Sequence, residues 1–293
     1  MSSPRAVVVH RTTELDELVS RHGTRGQAEF FLASRGRRLA DLQDRHDRTA
    51  DALATVSRAI PVDWRRAGVE RSELARFLFG PDDVVLVVGQ DGLVANVAKY
   101  LDGQAVIGID PLPGVNAGVL VQHQAAAVKA LLTELTKGAS GFLNRTMIEA
   151  VADDGQVLRA LNEVYVGQPT QQTARYSLSA LGSAERQASS GLIVASGTGA
   201  TGWAASIHRA QRSTLSLPAA DAPAAAFFVR EPWPSPTTGT SLTEGLLAEP
   251  LELTIESDTL VAFGDGIEDD RLILAAGQTV RIGVSQTSLH QVV

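Results

Sequence analysis

The chain has 293 residues, 44% of them hydrophobic and 20% charged, with a formal net charge of −7 and no cysteine. This is an ordinary globular composition, long enough for two domains. It excludes disulfides, thiolate catalysis and Cys-ligated zinc or iron–sulfur centres, and the acidic balance argues against a nucleic-acid partner, which needs a basic field.

The opening MSSPR runs into AVVVH and then the acidic TTELDEL, with no long apolar region before a small-residue cleavage site. No signal peptide is expected, and the expected location is cytoplasmic. The longest apolar runs, 84–88 and 222–229 (with Pro223 inside), fall far short of the roughly 20 residues of a membrane span, so no membrane partner is expected.

Residues 5–10 (RAVVVH) read as a first strand. From about 26 to 60, Phe30, Leu32, Leu39, Leu42, Leu53 and Val56 recur among arginines and acids at helical spacing. VDWRRAGV (62–69) reads as a second strand. A Pro-Asp-Asp turn then leads into the continuous apolar strand 84–88, a glycine turn at 89–92 and a helix. A short unbroken apolar run of this kind suits a parallel strand buried on both faces. AVIGIDP (105–111) is the next strand and HQAAAVKALLTEL (123–135) the next helix. Strand, turn, helix and strand in this order make an α/β unit, and such sheets bind nucleotides at the carboxyl ends of their strands.

Beyond Lys137-Gly138 the texture becomes β-rich. LNRTMIEAVADDGQVLRALNEVYVG holds two strand-like runs around Asp154-Gly155, a hairpin signal. ARYSLSAL, SGLIVAS, AAAFFVRE, LELTIES, TLVAFGD and TVRIGVS follow as strands, with one helix after Gly202. LPAADAPAAA and the Pro-rich REPWPSPTTGTS read as surface loops. The boundary places an α/β nucleotide-binding domain at 1–138 and a β-rich domain at 139–293.

Three places carry candidate chemistry. Gly197-x-Gly199-x-x-Gly202 has the spacing of a dinucleotide fingerprint, which also needs a βαβ unit and an acid closing the next strand about 20 residues on. Asp221 has the spacing but precedes its strand, Glu231 lies too far on, and the surroundings are β-rich, so the fingerprint reading is disfavoured. At Gly89-Gln90-Asp91-Gly92, a glycine turn between strand and helix lets backbone N–H groups and the helix N-terminus meet a phosphate. Asp91 inside it suits a base for a hydroxyl, or a contact through Mg²⁺; the alternative is a helix cap. Asn162-Glu163 breaks an otherwise apolar strand, so one of the pair faces the core or a cleft; the alternative is an edge strand with a solvated Glu. No lysine follows a glycine, which excludes a Walker A loop.

The order of these motifs resembles that of the NAD kinases. The residues that carry the resemblance are Gly89-Gln90-Asp91-Gly92, Asn162-Glu163 and Thr198-Gly199-Ala200-Thr201-Gly202-Trp203, together with VIGIDPLPGVNAGVL and the tail FGDGIEDDRLILAAGQTVRIG. The resemblance spans about 80–285, and the wording around Ser190-Gly191 and Gly197-Thr198-Gly199 looks closer to the divergent mitochondrial-type members than to the bacterial mainstream. It implies a two-domain fold, an α/β domain with a phosphofructokinase-like parallel sheet and a β-rich C-terminal domain. It implies an ATP-dependent kinase that phosphorylates the 2′-hydroxyl of the adenosine ribose of NAD, with Mg²⁺ carried by ATP and self-association into homo-oligomers.

By the same resemblance Asp91 would be the general base. Gly89, Gln90, Gly92 and Leu93 would form the phosphate turn for ATP. Asn162 and Glu163 would hold ribose hydroxyls, and Ser190, Thr198, Gly199, Thr201, Gly202 and Trp203 would line the NAD site. The chain departs from the pattern at Gln90 (usually Gly), Leu93 (usually Thr), Ser190 (usually Asp) and Asp110 (usually Asn). REPWPSPTTGTS has no counterpart of the family's His-Ser-Leu-Ser segment. Two alternatives stay open: a kinase of the superfamily acting on a nucleoside, sugar or lipid hydroxyl, and a non-catalytic NAD- or nucleotide-binding protein.

Overall fold

The computed structural model describes residues 3–115 and 118–293. The chain divides into two compact units, one made of Met1–Tyr100, Gln104–Phe142 and His290–Val293, the other of Leu101–Gly103 and Leu143–Leu289.

The first unit is built on four parallel strands, β1 (Arg5–His10), β2 (Arg65–Glu70), β3 (Asp83–Val88) and β4 (Ala105–Ile109), in the order β2-β1-β3-β4. All six residues of β3 are buried, as expected of a strand covered on both faces. Its helices are α1 (Glu14–His22), α2 (Arg25–Ala33), α3 (Leu39–Ala59), α4 (Asp91–Ala98) and α5 (Val128–Thr136). Val56 of α3 and Val128 and Leu132 of α5 pack with Leu86 and Ile107 of the sheet. Leu15, Leu18, Ala28, Leu32, Leu39 and Leu42 tie α1, α2 and α3 together.

The helical text expected over 26–60 is therefore two helices, parted at Gly36 with φ +68°. The acidic TTELDEL supplies a third, not read from the sequence. The Thr13 hydroxyl accepts the Asp16 N–H at its start, and Gly23 closes it with φ +78°. The strand expected at 62–69 begins at Arg65, because Trp64 N–H turns back onto the Pro61 carbonyl. The helix expected over 123–135 begins at Val128, after one 3-10 turn at Ala125–Ala127.

The second unit contains β5 (Phe142–Ala152), β6 (Val157–Ala160), β7 (Glu163–Gly167), β8 (Ala174–Ala180), β9 (Ser183–Ser189), β10 (Leu192–Ala195), α6 (Trp203–Gln211), β11 (Ala225–Val229), β12 (Glu244–Leu247), β13 (Leu251–Ile255), β14 (Thr259–Gly264), β15 (Ile267–Ala275) and β16 (Thr279–Val292). One antiparallel sheet runs β16-β13-β8-β9, with the β5–β6 hairpin beside β16; the other runs β12-β11-β10-β7-β14-β15. Ile148, Val164, Val166, Tyr176, Leu178, Val194, Phe227 and Leu253 fill the core that the two sheets share. Strand alternation sends Tyr165, Ile193 and Phe228 to the opposite face of the six-stranded sheet, where Ala204 and Ile207 of α6 cover them.

The expected hairpin at Asp154-Gly155 is the β5–β6 turn, with Gly155 at φ +88°. β9 was not expected, because SAERQAS lacks a clean apolar alternation. β16 continues beyond the expected 285, and its last residues, from His290 on, belong to the first unit, where His290 pairs in parallel with Ala105 and Gln291 with Val106 of β4. Among the described residues no helix is long and apolar enough to cross a membrane.

Candidate functional site

In the first unit β3 runs into the turn 89–92, and Gly89 N–H donates to the Ile109 carbonyl at the end of β4 (3.0 Å). A Cβ on Gly89 would lie 2.8 Å from Leu93 Cδ2, so the absence of a side chain there lets Leu93 pack under the turn. Leu93 is only 5% exposed, and its N–H donates to the Gln90 carbonyl (2.9 Å). It therefore has neither a polar side chain nor an open amide for a phosphate. Gln90 occupies the N-cap of α4 with its side chain exposed, and no side chain caps the helix. Among the described residues nothing lies within 4 Å of the place a Cβ on Gly92 would take.

Asp91 is half-buried and fastens the chain beyond β4. Its Oδ1 accepts the N–H groups of Leu120 (2.8 Å) and Val121 (3.0 Å), and Oδ2 accepts that of Val119 (2.9 Å). Asp91 thus caps the 119–121 segment instead of its own helix. A carboxylate offers about four acceptor positions; among the described residues three are filled, and the remaining one is on Oδ2. The same segment lies close on β4, since a Cβ on Gly108 would fall 2.0 Å from the Leu120 carbonyl oxygen. The buried Gln291 amide donates to that oxygen (2.8 Å). Asp110 accepts the Leu112 N–H (2.8 Å), shaping its own turn. Asn116 and Ala117, within the VIGIDPLPGVNAGVL motif, lie outside the described residues.

In the second unit the Asn162-Glu163 pair enters β7, a central strand between β10 and β14, so an edge strand with a solvated Glu does not describe it. Asp265, in a left-handed turn at φ +53°, accepts the N–H groups of Leu161 (2.8 Å) and Asn162 (2.7 Å) and donates its own to the Glu163 carbonyl (3.1 Å). The Glu163 carboxyl is 8% exposed. Burial first, and then the charge of Asp265, push its pKa up to about 8, so at neutral pH it holds its proton and can donate a hydrogen bond.

The turn 196–202 is organised by Ser196. Its hydroxyl donates to the Leu161 carbonyl and accepts the N–H groups of Thr198 (3.1 Å) and Gly199 (3.2 Å). Ala200 donates to the Ser196 carbonyl (3.0 Å), Thr201 to Thr198 (3.1 Å) and Gly202 to Gly199 (2.9 Å). These amides are used internally, which rules out a dinucleotide phosphate cradle of the fingerprint type. A Cβ on Gly197 would lie 1.8 Å from the Ala219 carbonyl oxygen, and one on Gly199 2.1 Å from that of Asn162. The glycines at 197 and 199 admit the protein's own backbone, not a ligand. Thr198 is buried, with Arg145 Nη1 3.5 Å from its hydroxyl, and the Thr201 hydroxyl returns to the Thr198 carbonyl.

Gly202 leads into α6, whose first residue, Trp203, is half-buried. Its ring stacks on Tyr165 (centroids 5.8 Å apart), and the Arg230 guanidinium lies over it at 5.3 Å. Phe263 flanks Tyr165 at 4.9 Å. The Tyr165 hydroxyl donates to the Ser190 carbonyl (2.9 Å), and Ser190 N–H donates to the Arg230 carbonyl (2.9 Å). Glu163 and Tyr165, two apart on β7, share the face with Trp203. The structure thus gathers Asn162, Glu163, Thr198 and Gly199 around Ser196, and links Ser190 to Trp203 through Tyr165.

Sequence reasoning missed Ser196, Asp265, Tyr165 and Arg230. The period of two along ALNEVYV and the Gly264-Asp265-Gly266 turn were the available signals for Tyr165 and Asp265. Ser196 and Arg230 gave none.

No protein-family model matches the chain, and no curated protein matches it. Among solved structures, yeast NADH kinase complexed with NADH is similar, with 14% sequence identity, a TM-score of 0.62, and coverage of 99% of this chain and 83% of that one. At that identity the likeness is one of fold. A parallel α/β part followed by an antiparallel β-rich part is the NAD kinase-like fold, and this chain has it.

Proposed function

We propose that the protein is a kinase transferring the γ-phosphoryl group of ATP to the 2′-hydroxyl of the adenosine ribose of NAD or NADH. The observation that carries this reading is a NAD kinase-like fold over 99% of the chain, with Asp91 in the turn after β3 keeping one open acceptor position on Oδ2. In the proposed mechanism that oxygen accepts the proton of the attacking hydroxyl. The uncapped start of α4, at Asp91 and Gly92, meets phosphate with its N–H groups and partial positive charge. Mg²⁺ bound to ATP would supply charge neutralisation, and the contribution of the chain's own residues is positioning. Among the described residues there is no group of three or more His, Asp or Glu that could hold a metal ion by itself.

On the second unit the half-buried indole of Trp203, backed by Tyr165, offers a stacking surface for a flat ring of the dinucleotide. Protonated Glu163 would donate to a ribose or ring acceptor, with Asn162 beside it. Ser190, Thr201 and Gly202 are exposed around this face, whereas buried Thr198 and Gly199 act by shaping it from behind.

The test is purified protein with Mg-ATP and a panel of NAD, NADH, nucleoside, sugar and lipid acceptors. NADP or NADPH formation supports the reading; phosphate on another acceptor moves it to a different hydroxyl. A second reading, a non-catalytic NAD- or nucleotide-binding protein, is favoured by the three N–H groups already on Asp91 and by buried Leu93. Saturable NAD binding without turnover of any acceptor would establish it.

A further inference from the structure

β9 is the last strand of its sheet, and the loop 232–241 runs along its free edge. Trp233 N–H donates to the Ala188 carbonyl (2.6 Å) and Gly239 N–H to that of Arg186 (2.9 Å). The Glu185 carboxylate takes the N–H groups of Ser241 (3.0 Å) and Leu242 (3.0 Å). A Cβ on Gly239 would fall 2.1 Å from Glu185 Oε1, so loop and strand are in close contact. Within the loop the Thr238 hydroxyl donates to the Trp233 carbonyl (2.9 Å), and Pro232, Pro234 and Pro236 limit the backbone further.

This anchoring holds the Trp233 indole 68% exposed. Leaving so large an apolar ring in water forgoes the stabilisation of its burial. The ring forms one wall of a groove of about 400 Å³, within the range of small-ligand sites. The other walls include Arg175, Arg186, Glu256, Thr173 and Thr237. Arg186 binds both Glu256 oxygens through Nε (2.8 and 2.7 Å), leaving its terminal nitrogens as donors. Among the described residues Arg175 forms no side-chain ion pair, so the two arginines exceed the one glutamate by one positive charge.

We propose that this groove binds a phosphorylated sugar. The C–H face of the sugar ring would stack on Trp233, and its phosphate would meet Arg175 and the terminal nitrogens of Arg186. Glu256 and the threonine hydroxyls match ring hydroxyls, and the polar walls disfavour a wholly apolar ligand. A free phosphate would leave the indole uncovered, and an uncharged sugar would leave Arg175 unmatched. The site is independent of the kinase reading, because it uses none of the residues placed in that mechanism.

Glucose 6-phosphate, glucose and inorganic phosphate are titrated into the full chain by calorimetry. Glucose 6-phosphate is expected to bind saturably with a Kd of about 1 mM or tighter, and the other two at least roughly tenfold more weakly. Trp233→Ala and Arg175→Ala should each weaken glucose 6-phosphate by roughly tenfold or more. Trp233→Tyr should restore part of the loss, and unchanged thermal unfolding should show that the variants remain folded. No saturation up to about 10 mM, binding that survives both alanine substitutions, or inorganic phosphate binding as tightly as the sugar phosphate would each overturn the proposal.

Discussion

The two glycine turns look alike on paper and differ in use. At 89–92, among the described residues, nothing lies within 4 Å of a Cβ on Gly92, and the start of α4 has no side-chain cap. At 197–202, Gly197 and Gly199 are closed against Ala219 and Asn162, and the Ser196 hydroxyl occupies the Thr198 and Gly199 amides. One turn leaves Gln90 and Gly92 exposed after a strand end. The other is a joint inside the β-rich unit that sets where Asn162 and Trp203 stand. Glycine spacing marks a close approach of backbone, and only the neighbours tell what approaches.

Exchanging small residues between these environments gives the largest contrast. Gly199→Val should destabilise the protein by roughly 4 kcal/mol or more, because its side chain meets the Asn162 carbonyl oxygen and both belong to packed backbone. Gly92→Ala should leave stability unchanged or raise it by up to about 1 kcal/mol, since it adds a helix-favouring methyl in open space. Denaturant unfolding of the pair checks this; equal losses in both would mean that the turns are equally closed.

Asp91→Asn comes next. The amide nitrogen cannot accept a hydrogen bond, so one or more of the bonds to Val119, Leu120 and Val121 is lost. Stability should fall by about 1–3 kcal/mol. Under the proposed mechanism turnover should fall about 10²–10⁴-fold beyond any loss of folded protein. NADP formation, normalised to the folded fraction, separates a base from a strut; normalised turnover near wild type leaves only the strut.

Glu163 sharpens the comparison on the closed side, where burial beside Asp265 raises its pKa from 4.5 to about 8. A raised carboxyl pKa stabilises the fold fully below its unfolded value, and that stabilisation is lost as pH climbs through the folded value. Stability should therefore decline between about pH 5 and pH 8 by on the order of a few kcal/mol. Glu163→Gln, which keeps a donor without titrating, should flatten that decline. Thermal unfolding at a series of pH values decides; parallel profiles for the two proteins would remove Glu163 as the cause.

The smallest effect belongs to Gln90. Its side chain is exposed and makes no cap, so Gln90→Gly should change stability by no more than about 0.5 kcal/mol. ATP affinity should stay within about twofold. A loss corresponding to about 1.5–3 kcal/mol would instead show that the amide reaches a phosphate.

The continuous apolar run 84–88, the glycine turn after it and the Asp154-Gly155 hairpin were legible because each is specified by a few adjacent residues. α1 was not, although Thr13 and Gly23 bracket it, because its buried face is only Leu15 and Leu18 amid charges. β9 was hidden because the loop 232–241, distant in sequence, supplies its missing edge partner.

By itself the sequence determined the buried strand 84–88, the Asp154-Gly155 hairpin and the positions of both glycine turns, since buried runs and φ-permissive residues act locally. It also determined that Asn162-Glu163 interrupts an apolar strand. The tertiary structure decided what each polar group faces. Asp91 spends three acceptor positions on residues 119–121, and Asp265 reaches back about a hundred residues to Leu161 and Asn162. Ser196 takes the amides that a fingerprint would give to phosphate. Hydrogen bonds and burial join groups far apart in the chain, so the protonation of Glu163 and the closure of Gly199 follow from neighbours that no local pattern names.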